Sequence, residues 1–241
     1  MTSEADEQPG HEASSAPSRA AADDRTSRRR AAALAGHAGD GASARRLLAD
    51  PDSGVRATAL RALARAGAVT VDDIAARAVD LDPEVRRAAA EVIAADNGAV
   101  ALEDPAPPAL LGGLLTDPDP TVVEVAAWAC GEWVGRMVEA GFALPAPDLV
   151  AALGHVTLHH DDALCREAAV AALGAIGDDD ALPVILAATF DKATVRRRAV
   201  IALAPFDGDE VTAALERARA DRDWQVRQAA EDLLLDEGDL G

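Results

Sequence analysis

Residues 165–234 read CREAAVAALGAIGDDDALPVILAATFDKATVRRRAVIALAPFDGDEVTAALERARADRDWQVRQAAEDLL. One pattern occurs three times in this stretch, starting at Cys165, Val195 and Val226, at intervals of 30 and 31 residues. In each copy an alanine follows four positions after the first residue and a leucine follows eight positions after it. Offsets of 0, 4 and 8 lie on one face of an α-helix. The stretch therefore predicts a row of similar helices that pack through that face.

The same pattern recurs upstream at Val55, Val85 and Val122, and we call the first residue of each copy its anchor. Offset 4 holds alanine in all six copies: Ala59, Ala89, Ala126, Ala169, Ala199 and Ala230. Offset 8 holds an apolar residue: Leu63, Ile93, Cys130, Leu173, Leu203 and Leu234. A weaker seventh copy starts at Ser27. Repetition at this period is typical of solenoids built from helical hairpins.

Shorter amphipathic patterns lie between the anchor-bearing helices: 71–80, 107–116, 147–158, 180–190 and 209–220. The sequence thus predicts an all-α, right-handed α-solenoid of about six to seven helical hairpins over residues 25–241. Residues 1–24 are polar and lack apolar periodicity, so we expect a disordered acidic tail there.

Two charged columns accompany the repeats. Three residues before most anchors stands an aspartate suited to cap a helix N-terminus: Asp52, Asp82, Asp119, Asp162 and Asp223. Directly after every anchor except Val122 stands an arginine: Arg56, Arg86, Arg166, Arg196 and Arg227. We expect these arginines to pair with aspartates of their own or the next repeat and to form a structural ladder.

The composition narrows the classes of function. The chain has 42 acidic and 23 basic residues and a net charge of -19, which repels nucleic acid and anionic membranes unless a local basic patch overrides it. A single lysine, Lys192, stands among the basic residues, a bias that fits a halophilic protein from a saline cytoplasm. The two cysteines have no zinc or disulfide spacing, and the uncharged run 105–116 is too short to span a bilayer. The N-terminus lacks the pattern of a signal peptide, so we expect a cytoplasmic protein.

The repeated VRxxA pattern, an apolar run, a Gly or Asp turn and a second helix resemble HEAT-like repeats of the short type named after phycobilisome lyases. The resemblance covers residues 25–236 and implies a fold that serves many unrelated functions. Phycobilin lyases attach a tetrapyrrole to a partner protein or detach it, which makes a lyase-like enzyme or accessory subunit one alternative. HEAT-like DNA glycosylases hold DNA in a basic groove. Because this chain has arginine runs at 28–30, 86–87 and 196–198, DNA binding is a second alternative.

The residues provide no catalytic constellation, and we expect no cofactor and no metal. Cys130 and Cys165 fall on core offsets, where a small apolar side chain is expected. HEAT-like di-iron hydroxylases use repeated His-Glu pairs, but this chain has one such pair, at 11–12. The His-His-Asp-Asp run at 159–162 is interpreted as a solvated connection between helices.

Offsets 2, 6 and 9 point away from the core face, and in HEAT-like arrays this side usually lines the concave surface. We expect a partner-binding surface there, formed by Arg87, Glu124, Trp128, Glu167, Arg197 and Ile201. An outward-facing tryptophan is a frequent anchor of protein interfaces, although Trp128 has the alternative of packing under residues 135–147 or under the tail. The sequence therefore predicts a non-catalytic adaptor or scaffold for a protein partner, and it leaves the oligomeric state open.

Overall fold

The computed structural model describes residues 19–95, 100–142 and 147–238. Within these ranges the chain forms thirteen α-helices, two short 3-10 turns and no β-strand. The helices are α1 Arg19–His37, α2 Gly41–Arg46, α3 Ser53–Arg65, α4 Val71–Ala78, α5 Pro83–Ala94, α6 Ala106–Leu114, α7 Pro120–Glu139, α8 Pro147–His159, α9 Ala163–Ile176, α10 Leu182–Ala188, α11 Ala193–Ala202, α12 Asp209–Ala218 and α13 Trp224–Gly238. The all-α prediction is confirmed.

The odd-numbered helices carry the anchors and form one continuous row, because each packs against the next from α1 to α13. Helices α4, α6, α8 and α10 form a second row in the same way. The even-numbered helices from α4 to α12 coincide with the shorter amphipathic patterns of the sequence. Two parallel rows of alternating helices make a solenoid of helical hairpins, as predicted.

The core lies along the row of odd-numbered helices. All six anchors are buried, and the six alanines at offset 4 have no exposed surface. Neighbouring helices approach so closely that a Cβ atom added at Gly36 would lie 2.8 Å from the Cα of Ala62. The small side chains therefore set the spacing between successive hairpins.

Helix α1 begins at Arg19, so the expected tail, residues 1–24, overlaps it by residues 19–24. The alanines at 20–22 favour helix formation and extend α1 toward the N-terminus. Residues 1–18 lie outside the described part of the chain. Ser27, the weak seventh anchor, is exposed on α1, whereas Ala35 at its offset 8 is buried.

The arginine after most anchors links its hairpin to the next one. The Nε and Nη2 atoms of Arg196 donate to the two carboxylate oxygens of Asp221 at 2.9 and 2.7 Å, and Nη1 donates to the carbonyl of Asp191. Five arginine–aspartate pairs share this two-pronged arrangement, and we call them rungs: Arg28–Asp50, Arg56–Asp80, Arg86–Asp117, Arg166–Asp191 and Arg196–Asp221. Two parallel charge-assisted hydrogen bonds make each rung a strong and directional contact.

The aspartates expected in the ladder do not form these rungs. Asp52, Asp82, Asp162 and Asp223 instead accept hydrogen bonds from backbone amides at the starts of α3, α5, α9 and α13. A carboxylate engaged with the amides of a helix N-terminus does not make the two-pronged contact to the arginine of the neighbouring hairpin. In four of the rungs the paired aspartate lies two residues earlier, as with Asp80 before Asp82, and it also accepts the backbone N–H of the capping residue.

One rung is missing, between α7 and α9. Val123 occupies the arginine position and is buried, and His160 occupies the aspartate position. The Nδ1 atom of His160 accepts a hydrogen bond from the backbone N–H of Asp162 at 3.1 Å. In four of the rungs the paired aspartate accepts the same bond from the capping residue. Because both partners are replaced together, neither a guanidinium nor a carboxylate is left unpaired at this joint.

The rungs predict a pH dependence of stability. Hydrogen bonds from Arg166 and Arg196 hold the pKa of Asp191 and Asp221 below the ordinary value of 3.8. A carboxyl group with a lowered pKa in the folded state stabilises the protein above its unfolded pKa and loses that contribution as the pH falls. We expect wild type to exceed Asp221→Asn in free energy of unfolding by a constant margin above about pH 5, and by a shrinking margin below it. Urea unfolding followed by circular dichroism measures the difference, and a margin unchanged down to about pH 3 contradicts the assignment.

Candidate functional site

A groove with a volume of about 840 Å³ lies along α7 and α9. Trp128 of α7 lines it with 47% of its surface exposed, and the exposed Leu164 lines it from the first turn of α9. Ala94 of α5 and Arg198 of α11 complete the two ends. Four successive helices of the odd-numbered row thus contribute to one surface.

The floor of the groove consists of residues with no side chain or only a methyl group: Gly131, Gly135, Ala171, Ala172 and Ala175. A Cβ atom at Gly131 would lie 3.4 Å from the Cα of Ala172, so the helices approach closely there. A Cβ atom at Gly135 would meet no atom within 4 Å. This floor leaves room for the backbone of another chain next to the indole of Trp128.

The charges in the groove are unbalanced toward acid. Four glutamates line it, of which Glu167 lies 3.7 Å from the guanidinium of Arg198. The other three, Glu124, Glu132 and Glu139, make no ion pair within the described ranges.

The second arginine of the groove, Arg136, is already engaged. Its Nη1 and Nη2 atoms donate to the carbonyls of Ala95 and Ile93 at the end of α5, at 3.1 and 2.5 Å. Its guanidinium also stacks 5.0 Å from the ring centre of the buried Trp133. The groove therefore carries a net negative charge, from four glutamates against two arginines, beside an exposed aromatic ring.

Three of the six residues expected to bind a partner line this groove: Glu124, Trp128 and Glu167. The other three do not line it. Arg198 stands in the place expected for Arg197, and Ile201 packs partly buried against the core. Arg87 lies outside the groove on α5, 3.6 Å from Glu91. A helix turns about 100° per residue, so a shift of one position moves a side chain from one surface to another.

The alternative expectation for Trp128 is that it packs under residues 135–147 or under the N-terminal tail. Residues 135–139 continue α7 beyond Trp128 and themselves help to line the groove, through Gly135, Arg136 and Glu139. They leave the indole half exposed. Residues 143–146 and 1–18 lie outside the described part of the chain.

The arginine runs that raised DNA binding as an alternative are largely paired with acids. One member of each run forms a rung: Arg28, Arg86 and Arg196. A second member of each lies near a glutamate: Arg29 near Glu84, Arg87 near Glu91 and Arg198 near Glu167. These contacts lower the positive charge available to phosphates.

The cysteines occupy the core, as their offsets predict. Burial raises the pKa of Cys130 to about 12 and that of Cys165 to about 11, so both remain thiols at neutral pH. The Sγ of Cys165 donates to the carbonyl of Pro120. In the ranges that the structure covers, no three side chains of His, Cys, Asp or Glu converge as ligands for a metal ion. None of the helices described there combines the length and apolar character needed to cross a membrane.

Comparison with solved structures shows where this fold recurs. The chain is similar to YibA of Escherichia coli, with a TM-score of 0.59 and 19% identity, over 78% of this chain and 67% of that one. It is similar to an engineered protein, with a TM-score of 0.56 and 21% identity, over 84% and 98% of the two chains. A designed armadillo repeat protein, solved in complex with the peptide (KR)4, gives a TM-score of 0.55 and 20% identity over 80% and 97%. At these identities the similarity shows a shared repeat-solenoid fold.

Comparison with sequences identifies the type of repeat. No curated protein matches the chain. The family of HEAT repeats matches residues 107–193 and 150–234, which together cover more than half of the chain. These two matches include α7 and α9, the helices that form most of the groove. The chain belongs to the HEAT repeat family.

Proposed function

We propose that this protein is a non-catalytic scaffold or adaptor that binds a segment of a partner protein in the groove along α7 and α9. The observation that carries the proposal is the half-exposed Trp128 above a floor of glycine and alanine. Aromatic side chains in concave sites supply much of the binding energy in protein interfaces. The expected mechanism is insertion of an apolar partner side chain between Trp128 and Leu164.

The charge of the groove favours a partner segment that also carries lysine or arginine. Glu124, Glu132 and Glu139 would pair with such cations, and like charges on an acidic segment would be repelled. A designed armadillo repeat protein of the same general fold has been solved with the peptide (KR)4, which supports a groove of this kind as a peptide site.

We expect the protein to act in the cytoplasm. The intervals of 30 and 31 residues between repeats support assignment to the short phycobilisome-lyase type of HEAT-like repeat.

The test uses Trp128→Glu in affinity capture from the lysate of the native cell, at the salt concentration of its cytoplasm. The substitution removes the indole and places a carboxylate where the apolar side chain of the partner would insert. We expect recovery of a specific protein to fall at least about tenfold relative to wild type. Mass spectrometry of the captured material gives the readout.

The matched control is Trp224→Glu, because Trp224 is also exposed but lies at the start of α13. Circular dichroism verifies that both variants are folded. We expect the control to retain the partner that Trp128→Glu loses. Equal recovery by all three proteins, or capture of nucleic acid or a coloured tetrapyrrole in place of a protein, would contradict the proposal.

A further inference from the structure

Helix α8 carries two histidines one turn apart, His155 and His159, and both are exposed. Residues at positions i and i+4 of a helix lie on the same face, one above the other. The centres of the two imidazole rings are accordingly 4.9 Å apart, and the ring planes are inclined by 50°. In sequence, His159 begins the run 159–162, which favours a solvated connection, but in space its ring lies against that of His155.

The separation of the two rings suits one metal ion shared between them. A ring nitrogen binds Zn²⁺ at about 2.0–2.1 Å, which places the ion about 3.2 Å from the centre of the ring. Two rings that bind the same ion at an angle of about 90–110° therefore have centres about 4.5–5.2 Å apart. The observed 4.9 Å lies inside this range. A shared ion thus requires rotation of the two side chains and no movement of α8.

The ring nitrogens of this pair are not otherwise engaged. Neither His155 nor His159 forms a hydrogen bond or an ion pair within the described ranges. The other two described histidines differ, because Nε2 of His37 lies 3.0 Å from a guanidinium and Nδ1 of His160 accepts a backbone N–H. An imidazole binds a metal ion through a free lone pair of its neutral form. The two histidines of α8 meet this requirement together.

The pair lies at the joint that lacks a rung. A concavity of about 500 Å³ lies between residues 115–120, ahead of α7, and residues 155–162, at the end of α8, and both histidines line it. At the preceding joint, Arg86 spans the distance between two such loops, from the carbonyl of Asp80 to the carboxylate of Asp117. Here Val123 stands in place of the arginine and is buried, so α7 extends no guanidinium into the concavity.

The charges around the concavity favour a cation. Among the described residues, no lysine or arginine lines it, whereas three aspartates do: Asp117, Asp161 and Asp162. Arg86 balances Asp117. Arg166 donates to the carbonyl of Asp161, but its own charge is balanced by the carboxylate of Asp191. The two remaining aspartates therefore give the concavity a negative potential, which raises the local concentration of cations.

We propose that His155 and His159 bind one divalent transition-metal ion through one nitrogen of each ring, with water in the remaining positions. Imidazole nitrogen favours Cu²⁺, Ni²⁺ and Zn²⁺, whereas Mg²⁺ and Ca²⁺ prefer oxygen ligands. No residue of α8 lines the groove along α7 and α9, so this site is separate from the one proposed for a partner segment. The two rings are held one turn apart only when α8 is folded, and the bound ion therefore stabilises the folded chain.

The test is isothermal titration calorimetry of the full chain with NiCl₂. We expect affinity for Ni²⁺ to fall at least about tenfold in His155→Gln and in His159→Gln, because each variant loses one of two ligands that act together. Cu²⁺ should bind more tightly than Ni²⁺, and MgCl₂ should not compete with either. Electron paramagnetic resonance of the Cu²⁺-loaded chain counts the nitrogen ligands, and we expect two in wild type and one in each variant.

The other described histidines provide matched controls. His37→Gln removes an exposed histidine of α1, and His160→Asn retains an acceptor for the backbone N–H of Asp162. Both variants should bind Ni²⁺ as wild type does, and circular dichroism verifies that all variants are folded. NiCl₂ should also raise the midpoint of thermal unfolding of wild type, and it should not do so in the double variant His155→Gln/His159→Gln.

Three results would overturn the proposal. The first is that wild type takes up no Ni²⁺ at millimolar concentration. The second is that the double variant His155→Gln/His159→Gln binds Ni²⁺ as tightly as wild type, which would place the ion elsewhere on the chain. The third is that His160→Asn loses the ion while the pair on α8 is intact, because His160 would then be a ligand.

Discussion

Replacing Asp221 by alanine is expected to lower the free energy of unfolding by about 3 kcal/mol, because it strands the guanidinium of Arg196 in a buried position. Only 7% of the Arg196 side chain is exposed, and Asp221 satisfies two of its three hydrogen-bonding nitrogens. The same substitution removes the acceptor of the Asp223 backbone N–H. Urea unfolding at neutral pH measures the loss.

The natural chain supplies the control for this experiment. At the missing rung, Val123 and His160 replace arginine and aspartate together, and His160 keeps the backbone contact to the capping residue. We therefore expect the double variant Arg196→Val/Asp221→His to be more stable than the sum of the two single substitutions predicts, by about 1 kcal/mol or more. Additive effects within a few tenths of a kcal/mol would show that the two side chains do not act as a pair.

Replacing Gly174 by alanine is expected to destabilise the protein by about 1–3 kcal/mol. The new Cβ would lie 2.6 Å from both the Cα and the Cβ of Ala202, and the Cα belongs to the backbone of α11 and cannot rotate away. Helices α9 and α11 would have to separate, which opens space along the core. The loss outweighs the gain that alanine brings over glycine inside a helix.

Gly135→Ala is the matched variant, since Gly135 also lies inside a helix but a Cβ there meets no atom within 4 Å. Here the helix preference acts alone, and we expect a gain of about 0.5–1 kcal/mol. Thermal unfolding of both variants beside wild type gives the comparison. Opposite signs for the two substitutions are the expected result, and a Gly174→Ala protein as stable as wild type would refute the close-packed joint.

The repeat pattern was sufficient to predict the fold because it reports a physical constraint in every copy. Offset 4 holds alanine wherever two helices meet, and all six of these alanines are fully buried. Offset 8 is buried in five copies, while Leu234 in the last helix is only partly buried. Ser27 and Ala31 of α1 are exposed for the same reason, since no described helix covers that side. Regular spacing therefore predicts the interior of the array better than its ends.

The pairing of charges was less predictable, because each turn offers several aspartates within a few residues. Asp80 and Asp82 have the same chemistry, and only the backbone path decides that Asp82 caps α5 while Asp80 reaches Arg56. A signal was present in the sequence: the one repeat that lacks the arginine, at Val123, is followed by the one that carries His160 where most others carry aspartate. Three of the six residues expected to bind a partner line the groove. The helical phase read from sequence can be wrong by one residue, and such an error exchanges Arg197 for Arg198.

The missing rung has a consequence for how such a chain changes in length during evolution. A recombination event that deletes or duplicates a hairpin joins the arginine of one repeat to the acid of another. Where all repeats carry both partners, every such junction forms a complete rung. A junction that separated Val123 from His160 would leave a lone carboxylate or a lone guanidinium inside the new joint. A rearrangement that keeps the hairpins of α7 and α9 together avoids this cost, and it also keeps the groove between them intact.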